Sequence, residues 1–203
     1  ERMQRLGVKD LRVMSSIGID PKAMGKHTPR PEDGITRFIS VGRLLHWKGF
    51  HFGLEAFAKA AILNAEFVVV GSGPCLEPLR EQAKAMGIAD KVRFTGELPW
   101  RDALKQFQDA DVLVHPSLHD SGGFVLLEAM EMAKPVICLD LGGPGVYVNA
   151  DCGFAVKAGT VDQAIADIAS AMQRLAEDKA LRQRLGEAGR ERVLCEFTWE
   201  RSA

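Results

Sequence analysis

The stretch Asp111-Val-Leu-Val-His-Pro-Ser-Leu-His-Asp-Ser-Gly-Gly-Phe-Val-Leu-Leu-Glu-Ala-Met-Glu-Met-Ala-Lys-Pro-Val-Ile-Cys138 reads as strand, glycine turn, helix and strand in direct succession. Asp111–His115 and Pro135–Cys138 are short apolar runs rich in Val and Ile, the pattern of parallel strands covered on both faces. Between them Phe124–Ala133 is an apolar helix opened by Ser121-Gly122-Gly123. The first amides of a helix have no partner within it and point at whatever lies ahead, so a phosphate is their natural guest. Capping of the helix by Ser121 is the purely structural reading, and the two are compatible.

The same alternation extends outward in both directions. Arg37–Val41, Glu66–Val70, Lys91–Thr95 and Gly153–Val156 read as further strands. Helical stripes lie between and after them: Phe50, Leu54, Phe57, Ala58 and Ala61; Leu76, Leu79, Ala83 and Met86; Leu104 with Phe107; Ile165, Ile168, Ala169, Met172 and Leu175; Leu181, Leu185 and Ala188. Strand and helix in strict alternation predict an α/β fold, a doubly wound, Rossmann-like parallel sheet. Residues 1–34, with Asp20-Pro21 and the polar run Lys26–Gly34, read as a linker leading into one domain over residues 35–203.

Composition narrows the function. With 46% apolar and 26% charged residues the chain is an ordinary globular one, and its formal net charge of −1 gives no long-range pull towards nucleic acid or anionic membrane. Any bound anion must therefore be held by a local cluster of donors. Cys75, Cys138, Cys152 and Cys195 are far apart, which suits free thiols in a reducing compartment. No apolar run approaches the ~20 residues of a membrane span, and no signal peptide opens the chain.

In an open α/β sheet, ligands bind beyond the carboxyl ends of the strands. Every strand but the last runs there into glycine or a polar turn: Gly42-Arg43, Gly71-Ser72-Gly73-Pro74, Gly96-Glu97, Pro116 leading to Gly122-Gly123, and Asp140 leading to Gly142-Gly143-Pro144-Gly145. Such repetition points to a ligand that the backbone approaches closely. Arg43 and Lys48, after the first core strand, could straddle a diphosphate. Glu128, one turn into an apolar helix, needs a donor such as a ribose hydroxyl, or else a structural salt bridge. Asp120, eight residues earlier, can face the same cleft. Gly71-Ser-Gly-Pro-Cys-Leu76 lacks the third glycine of a dinucleotide fingerprint. His115 and His119 are four apart, but Pro116 breaks any helix that would pair them, so no metal is expected. No nucleophile triad is legible either.

Taken in order, these residues resemble the C-terminal domain of family 4 retaining glycosyltransferases, the second half of a GT-B fold. The resemblance rests on Ile17-Gly-Ile-Asp20; Val41-Gly-Arg-Leu44 with Lys48-Gly49; Val70-Gly-Ser-Gly-Pro74; Val92-Arg-Phe-Thr-Gly96; Ala110–Ser117; Asp120–Met130; Lys134-Pro-Val-Ile137; and Gly142-Gly-Pro144. It implies that Arg43 and Lys48 bind the donor diphosphate, Glu128 the ribose hydroxyls, and Asp120 the region of the transferred sugar. These four are the expected catalytic residues. The amides of Gly123, Phe124 and Val125 are expected on phosphate and sugar, with Gly42, Gly71, Gly73, Gly96 and Gly122 completing the donor site. Asp120 stands where the family usually has Glu, and Gly122 where an aromatic is common. Both departures concern the sugar pocket.

The implied reaction transfers a sugar, with retention, from a nucleoside diphosphate sugar to an acceptor, without metal or other cofactor. The family's N-terminal acceptor domain has no counterpart in these residues, and is the expected partner. The chain alone is therefore expected to bind nucleotide weakly and not to turn over. A cytoplasmic enzyme is implied, any contact with the inner membrane face being made through that other domain. The alternatives are a sugar-nucleotide epimerase, a phosphorylase (no pyridoxal-lysine signal is legible), an NAD-dependent oxidoreductase using Gly71–Leu76, and a non-catalytic nucleotide-binding module.

Overall fold

A computed structural model of the chain describes residues 18–24, 30 and 33–202. Most of the expected linker, including Ile17 and most of the polar run from Lys26, lies outside the described residues, as does Ala203. A single helical turn, α1 (Pro21–Met24), precedes the sheet. Strands β1 (Thr36–Val41), β2 (Ala65–Val70), β3 (Val92–Gly96), β4 (Val112–His115), β5 (Val136–Leu139) and β6 (Gly153–Val156) fall within one residue of the expected bounds. They form one sheet in the order β3-β2-β1-β4-β5-β6, with every neighbouring pair parallel.

The two sheet faces are read off the alternation of side chains along each strand. Phe38, Val69, Val112, Val114, Ile137 and Leu139 lie under α2 (Phe50–Ala60), α3 (Leu76–Ala85) and α7 (Val161–Glu177). Ile39, Val68, Val70, Leu113, Val136 and Cys138 lie under α4 (Trp100–Asp109), α5 (Phe124–Glu131) and the end of α8 (Lys179–Glu196). Covered on both sides, the central strands need no polar face. Phe38, Ile39, Leu113 and Ile137 are 0% exposed, and each such side chain stabilises the fold by about 2–3 kcal/mol.

Two helix bounds differ from expectation, for local reasons. Helix α5 stops at Glu131 rather than Ala133, because Lys134 precedes Pro135 and is driven out of the helical region, while Ala133 already has φ +53°. Helix α4 starts at Trp100, ahead of the Leu104–Phe107 stripe, because its first residues are exposed and carry no apolar signal. Short helix α6 (Pro144–Tyr147) occupies a stretch that reads as a turn, and a further short helix, α9 (Trp199–Ser202), follows α8. Ile19, ahead of the sheet, meets the end of α8: it donates its amide to Phe197 O at 3.0 Å, and Trp199 donates to Ile19 O at 3.3 Å.

Strands β1 and β4 are neighbours, yet their following helices depart to opposite faces. The crevice this opens at their carboxyl ends is where a doubly wound sheet takes its ligand. No helix among the described residues is long and apolar enough to cross a membrane.

Candidate active site at the strand switch

Two loops line the crevice. The loop after β1 carries Gly42, Arg43, the turn His46–Lys48 and Gly49; the loop after β4 runs from Pro116 to Gly123. They are tied together by Leu118 N donating to Trp47 O at 2.9 Å. Gly49, at φ +70°, packs so closely on the Pro116 carbonyl that a Cβ there would collide with it.

Asp120 is the hub of this edge. Lys48 Nζ lies 2.6 Å from its Oδ2, and His115 Nε2 lies 3.1 Å from the same oxygen. Its Oδ1 accepts the Gly123 amide at 2.9 Å, and its main-chain carbonyl accepts that of Gly143 at 3.1 Å. The His115 contact, the Lys48 ammonium and the Gly123 amide hold the carboxyl well below the usual carboxylate range, against an opposing effect of burial. Thus Asp120, not Ser121, satisfies the start of α5: Gly123 is the N-cap at φ +62°, and no side chain caps beyond it.

Glu128 lies one turn along α5 and has a different partner. Trp100 Nε1 donates to its Oε1 at 2.9 Å. Burial pushes the Glu128 carboxyl upward, and the indole hydrogen bond offsets part of that. No salt bridge to Glu128 exists among the described residues. Trp100 escaped the sequence reading because it opens a helix whose first turn has no apolar stripe; its place just after Pro99 at a strand-end loop was the available signal.

The remaining donors are open. The amides of Phe124 and Val125 head α5 with no carbonyl a turn behind them, and Phe124 is itself half exposed. Arg43 is exposed, and its side chain makes no ion pair or hydrogen bond among the described residues. The crevice therefore offers one free guanidinium, two free amides, a cation already shared with an acid, and a half-buried acid beside an indole. That set suits a ligand with a multiply charged anionic end and a hydroxylated end.

The glycines divide. Gly42 and Gly71 spend their amides on Val70 O at 3.0 Å and Gly96 O at 2.9 Å, within the sheet edge. A Cβ on Gly71 would collide with Gly42 O, and one on Gly73 would lie 2.6 Å from Leu44 O. Their small size is thus required by loop-on-loop packing, which removes part of the ligand argument drawn from them. Gly96 lies two strands from β1, about 10 Å away, with open space around it. Gly123 is at the site, but its amide is already taken; Gly122 adjoins it. The loop Gly71–Leu76 belongs to β2, not to the switch, and is pinned to Leu44 through Leu44 N to Ser72 O at 2.8 Å and Cys75 N to Leu44 O at 3.1 Å. A dinucleotide fingerprint at the switch would have to follow β1.

Among the described residues no three His, Cys, Asp or Glu side chains converge as a metal site. A hollow of about 600 Å³ lies at the opposite edge of the sheet between Thr36, Asp111 and Lys134. Its cations are mostly engaged: Arg30 pairs with Asp33 and Asp111, Arg182 donates to the carbonyls ending α7, and Arg190 donates to Glu131. Arg30 Nε in that hollow and Glu131 Oε2 have no hydrogen-bond partner among the described residues, but the open cation and the open helix amides lie together at the switch, which is the better site.

Residues 26–192 match the family model for glycosyl transferases group 1. A glycogen synthase of Mycobacterium tuberculosis is 28% identical over 197 residues, a match covering 96% of this chain and 46% of that protein. The structure of sucrose-phosphate synthase from Thermosynechococcus elongatus superposes with a TM-score of 0.78 at 28% identity, covering 92% of this chain and 48% of that one. Anabaena HepE in complex with UDP and glucose superposes with a TM-score of 0.72 at 23% identity, covering 81% and 45%. The chain spans about half the length of the curated relatives it matches. It belongs to the glycosyl transferases group 1 family, and its sheet is the Rossmann-like, C-terminal half of a GT-B fold.

Proposed function

We propose that this chain is the donor-binding half of a retaining glycosyltransferase that draws its sugar from a nucleoside diphosphate sugar. Residues 35–203 form the donor domain, residues 1–34 link it to an acceptor-binding half, and the four free cysteines suit a cytoplasmic setting. The reading rests on one observation: Arg43, the Lys48–Asp120 pair, the first amides of α5 and Glu128 all lie around the β1/β4 switch. The diphosphate sits on Arg43, Lys48 and the amides of Phe124 and Val125. The ribose hydroxyls replace or share the Trp100 hydrogen bond on Glu128. The sugar lies towards Asp120.

Transfer breaks the bond from the sugar's anomeric carbon to the diphosphate oxygen and forms the bond to the acceptor oxygen on the same face, the acceptor's hydroxyl proton passing to the departing diphosphate. Charge grows on the departing diphosphate. Arg43, Lys48 and the amides are fixed in place to meet it, so they stabilise the transition state without reorganising. No side chain serves as nucleophile, and no metal is invoked. A relative crystallised with UDP and glucose makes uridine the first base to test.

Calorimetric titration with UDP, GDP, ADP and NAD tests this reading. One diphosphate should bind, with a Kd of about 0.1–1 mM because only half the cleft is present, and NAD should not. Arg43→Ala and Glu128→Ala should each weaken it about ten-fold. Binding untouched by both substitutions, or NAD binding more tightly than any diphosphate, contradicts the assignment.

A further inference from the structure

His115 closes β4 after Val112, Leu113 and Val114, and is 5% exposed. A side chain of this size in such a run could be mere filling, and a phenylalanine would do that as well. What sets His115 apart is where its Nε2 goes. It meets Asp120 Oδ2 at 3.1 Å, on the oxygen that Lys48 Nζ approaches at 2.6 Å, while Oδ1 takes the Gly123 amide at 2.9 Å. A carboxylate has about four acceptor positions. Three are filled here, each from a different part of the fold: the loop after β1, the end of β4 and the start of α5. The lysine is long and partly exposed, so it follows the carboxylate rather than fixing it. The ring is buried at the end of a central strand, so it is the rigid member.

We propose that His115 is a positioning residue of the donor site. By donating from Nε2 to Asp120 Oδ2 it fixes the carboxylate that in turn holds Lys48 and the Gly123 amide, and through Gly123 it sets the aim of the first free amides of α5. Asp120 is on this account first an anchor, with at most one acceptor position left for a sugar hydroxyl. The part concerning donor binding rests on the function proposed above; the grip on Gly123 does not.

The test uses the full chain and two readouts. Without nucleotide, exchange of the Gly123 amide is followed by NMR. His115→Phe keeps the ring volume and loses the donor, and should speed exchange about ten-fold, whereas His115→Gln carries a donor near the Nε2 position and should stay within about three-fold of the parent. His115→Asn, whose amide stops short of Asp120, should behave as the Phe variant and replaces it if that variant does not fold. With UDP, His115→Phe or His115→Asn should weaken binding about five-fold, and less than about two-fold when Asp120→Asn is already present, as expected of residues acting through one another. Unchanged Gly123 exchange in the Phe and Asn variants overturns the proposal, as does a Gln variant no better than they are. A full-sized loss of UDP binding in the Asp120→Asn background overturns it too. If the parent chain binds no nucleoside diphosphate, the function proposed above fails, and the exchange measurement still decides on His115.

Discussion

Lys48 Nζ stands 2.6 Å from Asp120 Oδ2, joining the loop after β1 to the loop after β4 across the switch crevice. The two residues are 72 positions apart, and the side chains are only 24% and 12% exposed. A partly buried pair of this kind adds modest net stability when intact, but removing one partner strands the other.

Asp120→Asn is therefore expected to cost about 1–3 kcal/mol at pH 7. The pH dependence has a definite sign. His115, Lys48 and the Gly123 amide hold the Asp120 carboxyl below its ordinary value, so its contribution is complete above the unfolded value near 3.9 and lost as pH falls below that. Urea denaturation of parent and variant should show a gap at pH 7 that narrows below about pH 4. A gap of equal size at both pH values would mean that the carboxylate charge does not act here.

Glu128 runs the other way. Burial raises its carboxyl, so the stability it permits is complete below the unfolded value and is lost as pH rises through the folded one. Glu128→Gln should thus raise the thermal midpoint at pH 7 by about 2–4 °C, the response of a domain this size to about 1 kcal/mol, with no gain near pH 4. It should also weaken nucleotide binding. A midpoint that falls at pH 7 would show that the carboxylate is held by a cation absent from this account.

The Arg43 side chain has no partner among the described residues, and its proposed work is on a ligand. Arg43→Ala is expected to leave stability within about 0.5 kcal/mol of the parent, as for an exposed side chain. It should nonetheless weaken UDP about ten-fold and flatten the dependence of binding on salt. Calorimetry at low and moderate ionic strength, beside a thermal melt, checks both halves.

The glycines give a prediction that separates packing from binding. Gly71→Ala places a Cβ against Gly42 O at φ +139° and should cost more than about 3 kcal/mol. Gly96→Ala, at φ +75° with open space around it, should cost about 1–2 kcal/mol. Denaturant titrations measure both. Loss of UDP binding in Gly71→Ala at unchanged stability would restore the ligand reading of that glycine.

Local patterns carried most of the fold. The Val-rich runs at β2 and β4, the Phe-Ile pair of β1 and the glycine turn before α5 are signals contained within a few residues, and burial on both faces leaves them unambiguous. The candidate site was legible as residue types, not as partnerships. That Lys48 would sit on Asp120, or Trp100 on Glu128, depends on which loops the strand order brings together, and no spacing in the chain encodes it. Glycine misled in one respect. Gly71 and Gly73 have the composition of a ligand loop, but the need they meet is a neighbouring turn. Gly123 caps α5, and its amide serves Asp120.

On the proposed function, a nucleoside diphosphate lies across the β1/β4 switch with its phosphates on the head of α5. Amide shift mapping by NMR during a UDP titration addresses it directly. The largest changes should fall on Phe124 and Val125, with the Trp100 indole shifting as ribose reaches Glu128. Changes centred on Gly71–Leu76, or on the hollow beside Lys134, with α5 unmoved, would contradict it.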